Sequence, residues 1–247
     1  MTKEELLAVS VDALDRKAFR GASIHWDGIA KPLDGLGKLE ELVKKIAGIT
    51  GTADVDIGEK AIIIMCADNG IIEEGVSQSE HEVTSIVAAN MAKGLASICR
   101  MAGIAGADVI PVDIGMKDTI VQKNLMDAKV APGTRNFLKE PAMTEKELMK
   151  AIGIGINMVA EWKEKGYQIL ATGEMGIGNT TTSSALASVL LDIPVESVTG
   201  KGAGLSREGI EHKKRVISQA IKKHGLKKEQ TWRTLMTVGG LDIAGLD

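Results

Sequence analysis

The chain has 247 residues, 44% of them hydrophobic, and a formal charge of −3, enough to bury one sizeable α/β core. Aromatics are only 2% of the chain, which removes the stacking platforms used on single-stranded nucleic acid, and the net negative charge argues against duplex binding. No run reaches the roughly 18 apolar residues of a membrane span, and two cysteines, Cys66 and Cys99, in apolar surroundings read as buried free thiols rather than metal ligands.

In chain order, Lys3 to Phe19 fits a helix with Leu6, Leu7, Val11 and Leu14 as its apolar stripe. Gly21 to Gly37 reads as an extended connector, and Leu39 to Ile49 as a second amphipathic helix stopping at Gly51. Ala61 to Ala67 is continuously apolar, as a parallel strand covered on both faces is. A loop over 68–80 leads to a helix from Val83 to Met101, rich in small residues, and then to a strand from Val109 to Ile114. Residues 117–142 form a polar, irregular insertion. Thr144 is placed to cap a helix running to Lys165, with Glu147 at the capping-box position. Tyr167 to Ala171 is a third strand.

Next comes Thr172-Gly-Glu-Met-Gly-Ile-Gly-Asn-Thr-Thr-Thr182, followed by a helix to Leu191. A glycine-rich turn between strand and helix leaves backbone N–H groups at a helix N-terminus, where an anion such as phosphate is the expected guest. Asn179 or Thr180 is placed to cap that helix. The turn is neither a Walker loop nor a dinucleotide fingerprint. Glu174 is out of keeping with an anion site and suits a sugar hydroxyl, a ring N–H or developing positive charge.

A second glycine loop, Thr199-Gly-Lys-Gly-Ala-Gly-Leu205, precedes a basic helix capped by Ser206 and running to Lys223. Thr231 to Leu246 is apolar and helix-like, and the run from Leu235 to Asp247 lacks a polar tail, which predicts a chain cut within a buried element in preference to a short terminal helix docking on the sheet. Strands alternating with helices predict a three-layer, parallel Rossmann-like sheet with a small helical appendage. The expected division is 1–50 for the helical segment and 51–247 for the α/β substrate-binding domain.

Four stretches together resemble the nicotinate-nucleotide–dimethylbenzimidazole phosphoribosyltransferase family of the cobalamin lower-ligand pathway. They are Ala67-Asp-Asn-Gly-Ile-Ile-Glu-Glu-Gly-Val-Ser77 with Val83-Thr-Ser-Ile-Val-Ala-Ala-Asn-Met91, the run Gly173 to Thr181, Val198-Thr-Gly-Lys-Gly-Ala-Gly204, and Val238-Gly-Gly-Leu-Asp242. Lys31-Pro32 with Gly35-Leu-Gly-Lys-Leu-Glu40 is similar to the family's N-terminal segment.

The resemblance implies transfer of phosphoribose from nicotinate mononucleotide to 5,6-dimethylbenzimidazole or a similar base, giving α-ribazole 5′-phosphate and nicotinate. It implies a homodimer and no cofactor. The charged, amphipathic N-terminus and the lack of a membrane-length run predict a cytoplasmic protein with no membrane partner. Composition and charge argue against nucleic acid, and His25, His81, His212 and His224 show no metal spacing. By position the resemblance implies that Gly176, Ile177, Gly178, Asn179, Thr180, Thr181, Gly202 and Lys213 hold the phosphoribosyl group. Lys201 is a further candidate phosphate partner, and Ser79 lies near the acceptor base, with Val87 where relatives carry a polar residue. Glu174 is the one candidate catalytic carboxylate present, because the family's general base lies in a C-terminal region that this sequence does not contain. From the residues alone, Asp68 and Asp113 sit at strand ends where active-site loops emerge, while Glu80 and His81 read as loop polarity. A catalytically incomplete relative, binding the nucleotide or base as a subunit or sensor, is the alternative reading.

Overall fold

The computed structural model describes residues 3–246 and divides the chain into two compact units, Thr2–Gly58 and Glu59–Asp247. The first unit is helical: α1 (Lys3–Leu7), α2 (Arg16–Asp27) and α3 (Lys38–Thr50), with α2 packed on α3. The single helix expected from Lys3 to Phe19 is broken because Asp15 takes an extended conformation and its carboxylate accepts from the Lys17 and Ala18 amides, starting a new helix there. That helix runs through Gly21 into the stretch expected to be an extended connector. Gly21 is tolerated because a side chain there would press on Ala53, its added Cβ lying 3.0 Å from that residue's Cβ. α3 ends at Gly51, with φ 74°, as its sequence predicts. Glu40 is buried at 1% exposure and paired with Lys31 at 2.8 Å.

The second unit is α/β. Strands β1 (Lys60–Ala67), β2 (Ala107–Gly115), β3 (Met126–Asp127) and β4 (Ile169–Met175) form one parallel sheet in the order β3-β2-β1-β4, with helices on both sides. Parallel strands covered by helices explain the apolar run of β1, whose Met65, Cys66 and Ala67 are 1% exposed or less. Helices α4 (Glu82–Ala92) and α5 (Ser97–Ala105) replace the single helix expected from Val83 to Met101. Gly94 adopts φ +73° between them, a conformation that ends a right-handed helix. The insertion after β2 holds β3, which pairs with Val112 and Asp113.

Helix α6 (Glu145–Glu164) has the predicted capping box between Thr144 and Glu147. β4 extends four residues beyond the expected end at Ala171, so Gly173 and Glu174 are strand rather than turn. Among the described residues β4 pairs with β1 alone, and at this edge it accepts a glycine and a carboxylate. α7 (Asn179–Leu191), α8 (Val195–Val198), α9 (Arg207–His224), α10 (Thr231–Val238) and α11 (Leu241–Ala244) follow. The expected terminal helix is interrupted at Gly239-Gly240. α11 then sits close on the sheet: a Cβ at Gly155 of α6 would lie 2.2 Å from the Gly245 carbonyl, and one at Gly115 would lie 2.5 Å from Leu241.

Candidate functional site

Strands β1, β2 and β4 run in one direction, so the loops after Ala67, Gly115 and Met175 leave the same edge of the sheet, where ligands of such sheets bind. The turn 176–178 joins β4 to α7. Gly176 is required by space, since a Cβ there would lie 2.0 Å from the Ala67 carbonyl oxygen. Gly178 is required by conformation, with φ +93°.

The open row of amides expected in this turn is closed at four positions. Ile177 N donates to Thr84 Oγ1 at 3.1 Å, Asn179 N to the Gly176 carbonyl at 3.1 Å, Thr180 N to Asn179 Oδ1 at 2.7 Å, and Thr181 N to the Gly178 carbonyl at 2.9 Å. Neither Asn179 nor Thr180 caps α7. The N-cap is Gly178, and the Asn179 amide nitrogen instead donates to both Glu174 oxygens at 2.7 and 2.8 Å.

The positive charge at this turn therefore comes from the dipole of α7 and from lysine side chains, Lys213 on α9 and Lys201 of the second glycine loop. Lys213 is 1% exposed, and its Nζ donates to Thr180 Oγ1 at 2.6 Å. None of the ion pairs among the described residues gives it a carboxylate partner, and burial pushes its ammonium down to about 8. The second glycine loop closes over it: Gly202, at φ +54°, places its α-carbon so that a Cβ would be 2.9 Å from Thr180 Oγ1 and 3.6 Å from Lys213 Nζ. The result is a pocket of about 50 Å³ bounded by Ile177, Gly178, Asn179, Thr180, Gly202 and Lys213, with Lys201, Ser77 and Gln78 also on its wall.

Other residues singled out in the sequence lie elsewhere. Thr181 is fully buried, its hydroxyl has no hydrogen-bond partner, and it does not line the pocket. Ser79 is half-buried, with its amide on Ser77 Oγ, and its neighbours Ser77 and Gln78 line the pocket in its place. Val87 packs against the core cluster of Ile64, Cys66 and Met116. Glu80 is exposed, whereas His81 stands 3.8 Å from Asp118.

Asp68 is buried, accepting from Thr84 Oγ1 at 2.6 Å and the Lys117 amide at 2.8 Å, and burial raises its pKa. Asp113, raised by the same cause, accepts from the Met116 amide and pairs with Lys129 at 3.2 Å. Both carboxylates tie loops to the sheet. Burial also raises Glu174, and the Asn179 bonds oppose it.

Sequence reasoning passed over two residues at this edge, Asn69 and Asp242. Asp242 has no exposed surface and accepts from Asn69 Nδ2 at 3.3 Å. Burial first, and the nearby Glu174 charge second, push its carboxyl up to about 7. The signal available was a carboxylate shortly after a Gly-Gly pair inside an otherwise apolar stretch.

A buried ammonium with no carboxylate partner among the described residues, beneath a glycine turn at a helix N-terminus, is an arrangement that can receive an anion. A family model described as phosphoribosyltransferase matches residues 11–247, and the chain belongs to that family. It is similar to nicotinate-nucleotide–dimethylbenzimidazole phosphoribosyltransferase of Acetivibrio thermocellus, 46% identical over 89% of this chain and 63% of that protein. The protein of the same name from Clostridium tetani is 43% identical over 94% of this chain and 64% of its own length. Among solved structures it resembles CobT from Thermus thermophilus, with a TM-score of 0.86 and 33% identity over 93% of this chain and 69% of that one. The chain thus spans less than two thirds of the length of the first two relatives.

Proposed function

We propose that this chain carries the phosphoribosyl site of an enzyme that moves phosphoribose from nicotinate mononucleotide to 5,6-dimethylbenzimidazole or a similar base. The observation that carries this reading is Lys213, a buried ammonium with no carboxylate partner among the described residues, bonded to Thr180 at the start of α7. An uncompensated buried cation is costly, and a 5′-phosphate in the adjoining pocket would neutralise it.

In this reading Lys213 and Thr180 hold the phosphate, and Gly202 keeps the space open for it. Glu174 lies on the other side of Asn179 and faces the ribose. As the bond between C1′ and the nicotinate nitrogen breaks, its electron pair goes to the nicotinate ring and positive charge grows at the sugar. A carboxylate there stabilises that charge, a ring nitrogen of the acceptor forms the new bond to C1′, and the acceptor's N–H proton passes to water. The names of the relatives support this assignment of substrates.

Self-association supplies a role for the first unit, where Leu7, Val11, Leu33 and Ile49 are 75, 93, 73 and 72% exposed. Exposed aliphatic residues in this number favour a protein partner, and a second copy of the chain is the partner we assign. The working division, a helical N-terminal segment and an α/β substrate-binding region, is supported by the separate compactness of the two units. Free Cys66 and Cys99 are in keeping with a reducing, cytoplasmic setting. No helix of the described residues is long and apolar enough to cross a membrane.

The test is calorimetric titration with nicotinate mononucleotide, followed by product analysis after adding dimethylbenzimidazole. Binding with formation of the α-ribazole phosphate is the expected result. Binding without turnover would favour a nucleotide-holding subunit, and no binding would overturn the site.

A further inference from the structure

Behind the glycine turn lies a carboxyl that the phosphate anchor does not use. Asp242 is 0% exposed, and the backbone on two sides is shaped to admit it. A Cβ at Gly240 would lie 2.0 Å from its Oδ1, and a Cβ at Gly176 would lie 3.0 Å from its Oδ2. Asn69 links it to the next residue of the turn: its Nδ2 donates to Asp242 Oδ2 at 3.3 Å and reaches the Ile177 carbonyl at 3.5 Å. The Asn69 amide donates to that same carbonyl at 3.3 Å, and Thr182 Oγ1 donates to Asn69 Oδ1 at 3.1 Å. A further donor to the carboxyl is the Ile243 amide, at 2.9 Å from Oδ1.

We propose that Asp242 is a positioning residue for phosphoribosyl transfer, fixing the turn through Gly176 and Asn69 and releasing a proton when a cationic substrate ring comes to Glu174. The proposal rests on the phosphoribosyltransferase reading of the site.

The charge balance follows from what faces the carboxyl. The charge of Glu174, on β4, bears on it, the Cys66 thiol lies on β1, and no ion pair with a lysine or arginine is formed among the described residues. The Cys66 thiol, pushed up to about 12 by burial, stays uncharged at neutral pH. Burial raises both carboxyls, and the charge of Glu174 raises Asp242 further, so ionising Asp242 beside an ionised Glu174 places like charges together. A pyridinium ring against Glu174 offsets that repulsion and lets Asp242 ionise. By linkage, a ligand that lowers a group's pKa binds more tightly as pH rises through it.

The experiment is calorimetry near pH 7 with nicotinate mononucleotide in two buffers of different ionisation enthalpy, on the wild-type protein and on Asp242→Asn. The ligand's own phosphate ionises alike with both proteins, so their difference is the readout. The wild type is expected to release more protons than the variant, with sulfate showing no such difference. Once the phosphate and Lys213 ionisations common to both proteins are subtracted, mononucleotide affinity should rise with pH across neutrality for the wild type and stay flat for the variant. Equal proton release by both proteins overturns the proposal, because a purely structural role would change affinity without changing proton count.

Should Asp242→Asn fail to fold, carboxyl-carbon NMR of the wild type decides. A carboxyl titrating near pH 7 that ionises on adding the mononucleotide supports the proposal, and its absence overturns it. If the wild type binds neither mononucleotide nor sulfate, the site reading itself fails and Asp242's role with it.

Discussion

The Lys213 ammonium and the Thr180 hydroxyl meet at 2.6 Å, joining α9 to the first turn of α7. A hydroxyl oxygen accepts a proton but brings no charge, so this bond orients the ammonium without neutralising it. The positive charge stays available to a ligand.

Removing it should cost binding. Lys213→Ala is expected to weaken nicotinate mononucleotide or sulfate by roughly 1.5–3 kcal/mol, the range for a hydrogen bond to a charged group. Titration calorimetry measures this, and unchanged affinity would remove Lys213 from the anchor.

The anchor should also be pH-dependent. Lys213 has its pKa lowered to about 8, so the free site loses its ammonium as pH rises through that value. A bound anion favours the charged form. Sulfate, which does not titrate in this range, should therefore bind with full affinity below about pH 8 and progressively less above it. In Lys213→Ala this decline should vanish.

Gly202→Ala probes the space rather than the charge. The new methyl would stand 2.9 Å from Thr180 Oγ1 at a left-handed backbone position. Strain should lower stability by about 1–2 kcal/mol. The methyl also intrudes on the pocket, so anion affinity should drop while the circular dichroism spectrum stays that of the wild type.

Stability away from the site is probed at Glu147, which completes the capping box of α6 and pairs with Arg135. Glu147→Ala should cost on the order of 1 kcal/mol for the lost cap, and a few degrees in thermal midpoint. The Arg135 bond lowers the Glu147 pKa to about 2. Its contribution is therefore whole above the ordinary glutamate range and is lost as pH falls through about 2. Thermal melts of both proteins should converge in strong acid.

The features legible in the sequence are those decided within a few residues. Thr144 and Glu147 announce α6 because a capping box is a three-residue interaction, and Gly51 marks the end of α3 for the same reason. Strand β1 is legible because burial on both faces leaves no polar position from Ala61 to Ala67. The reach of β4 through Glu174 was hidden, since glycine and glutamate there read locally as turn. The break at Gly94 was masked by small residues that continue a helical pattern on both sides.

At the site, the resemblance located Lys213, but its burial inside a Lys-Lys-Arg run cannot be read from that run. Closure of the turn amides was equally invisible, because the acceptor for Ile177 is Thr84, on another helix. Asp242 depends on Asn69, far away in the chain, and no local pattern carries such a pairing.

The close seat of α11 bears on how fast the interior can respond to its surroundings. Gly155 and Gly115 let this four-residue helix settle against α6 and β2, and Asp242 within it has no surface open to water. A proton can therefore reach that carboxyl only when some part of the structure lifts. α11 is a helix of four residues, so an opening that exposes the carboxyl need involve no more than this short segment. Hydrogen exchange at the Ala244 and Gly245 amides would then report the same opening that lets Asp242 equilibrate, well before the sheet beneath them comes apart.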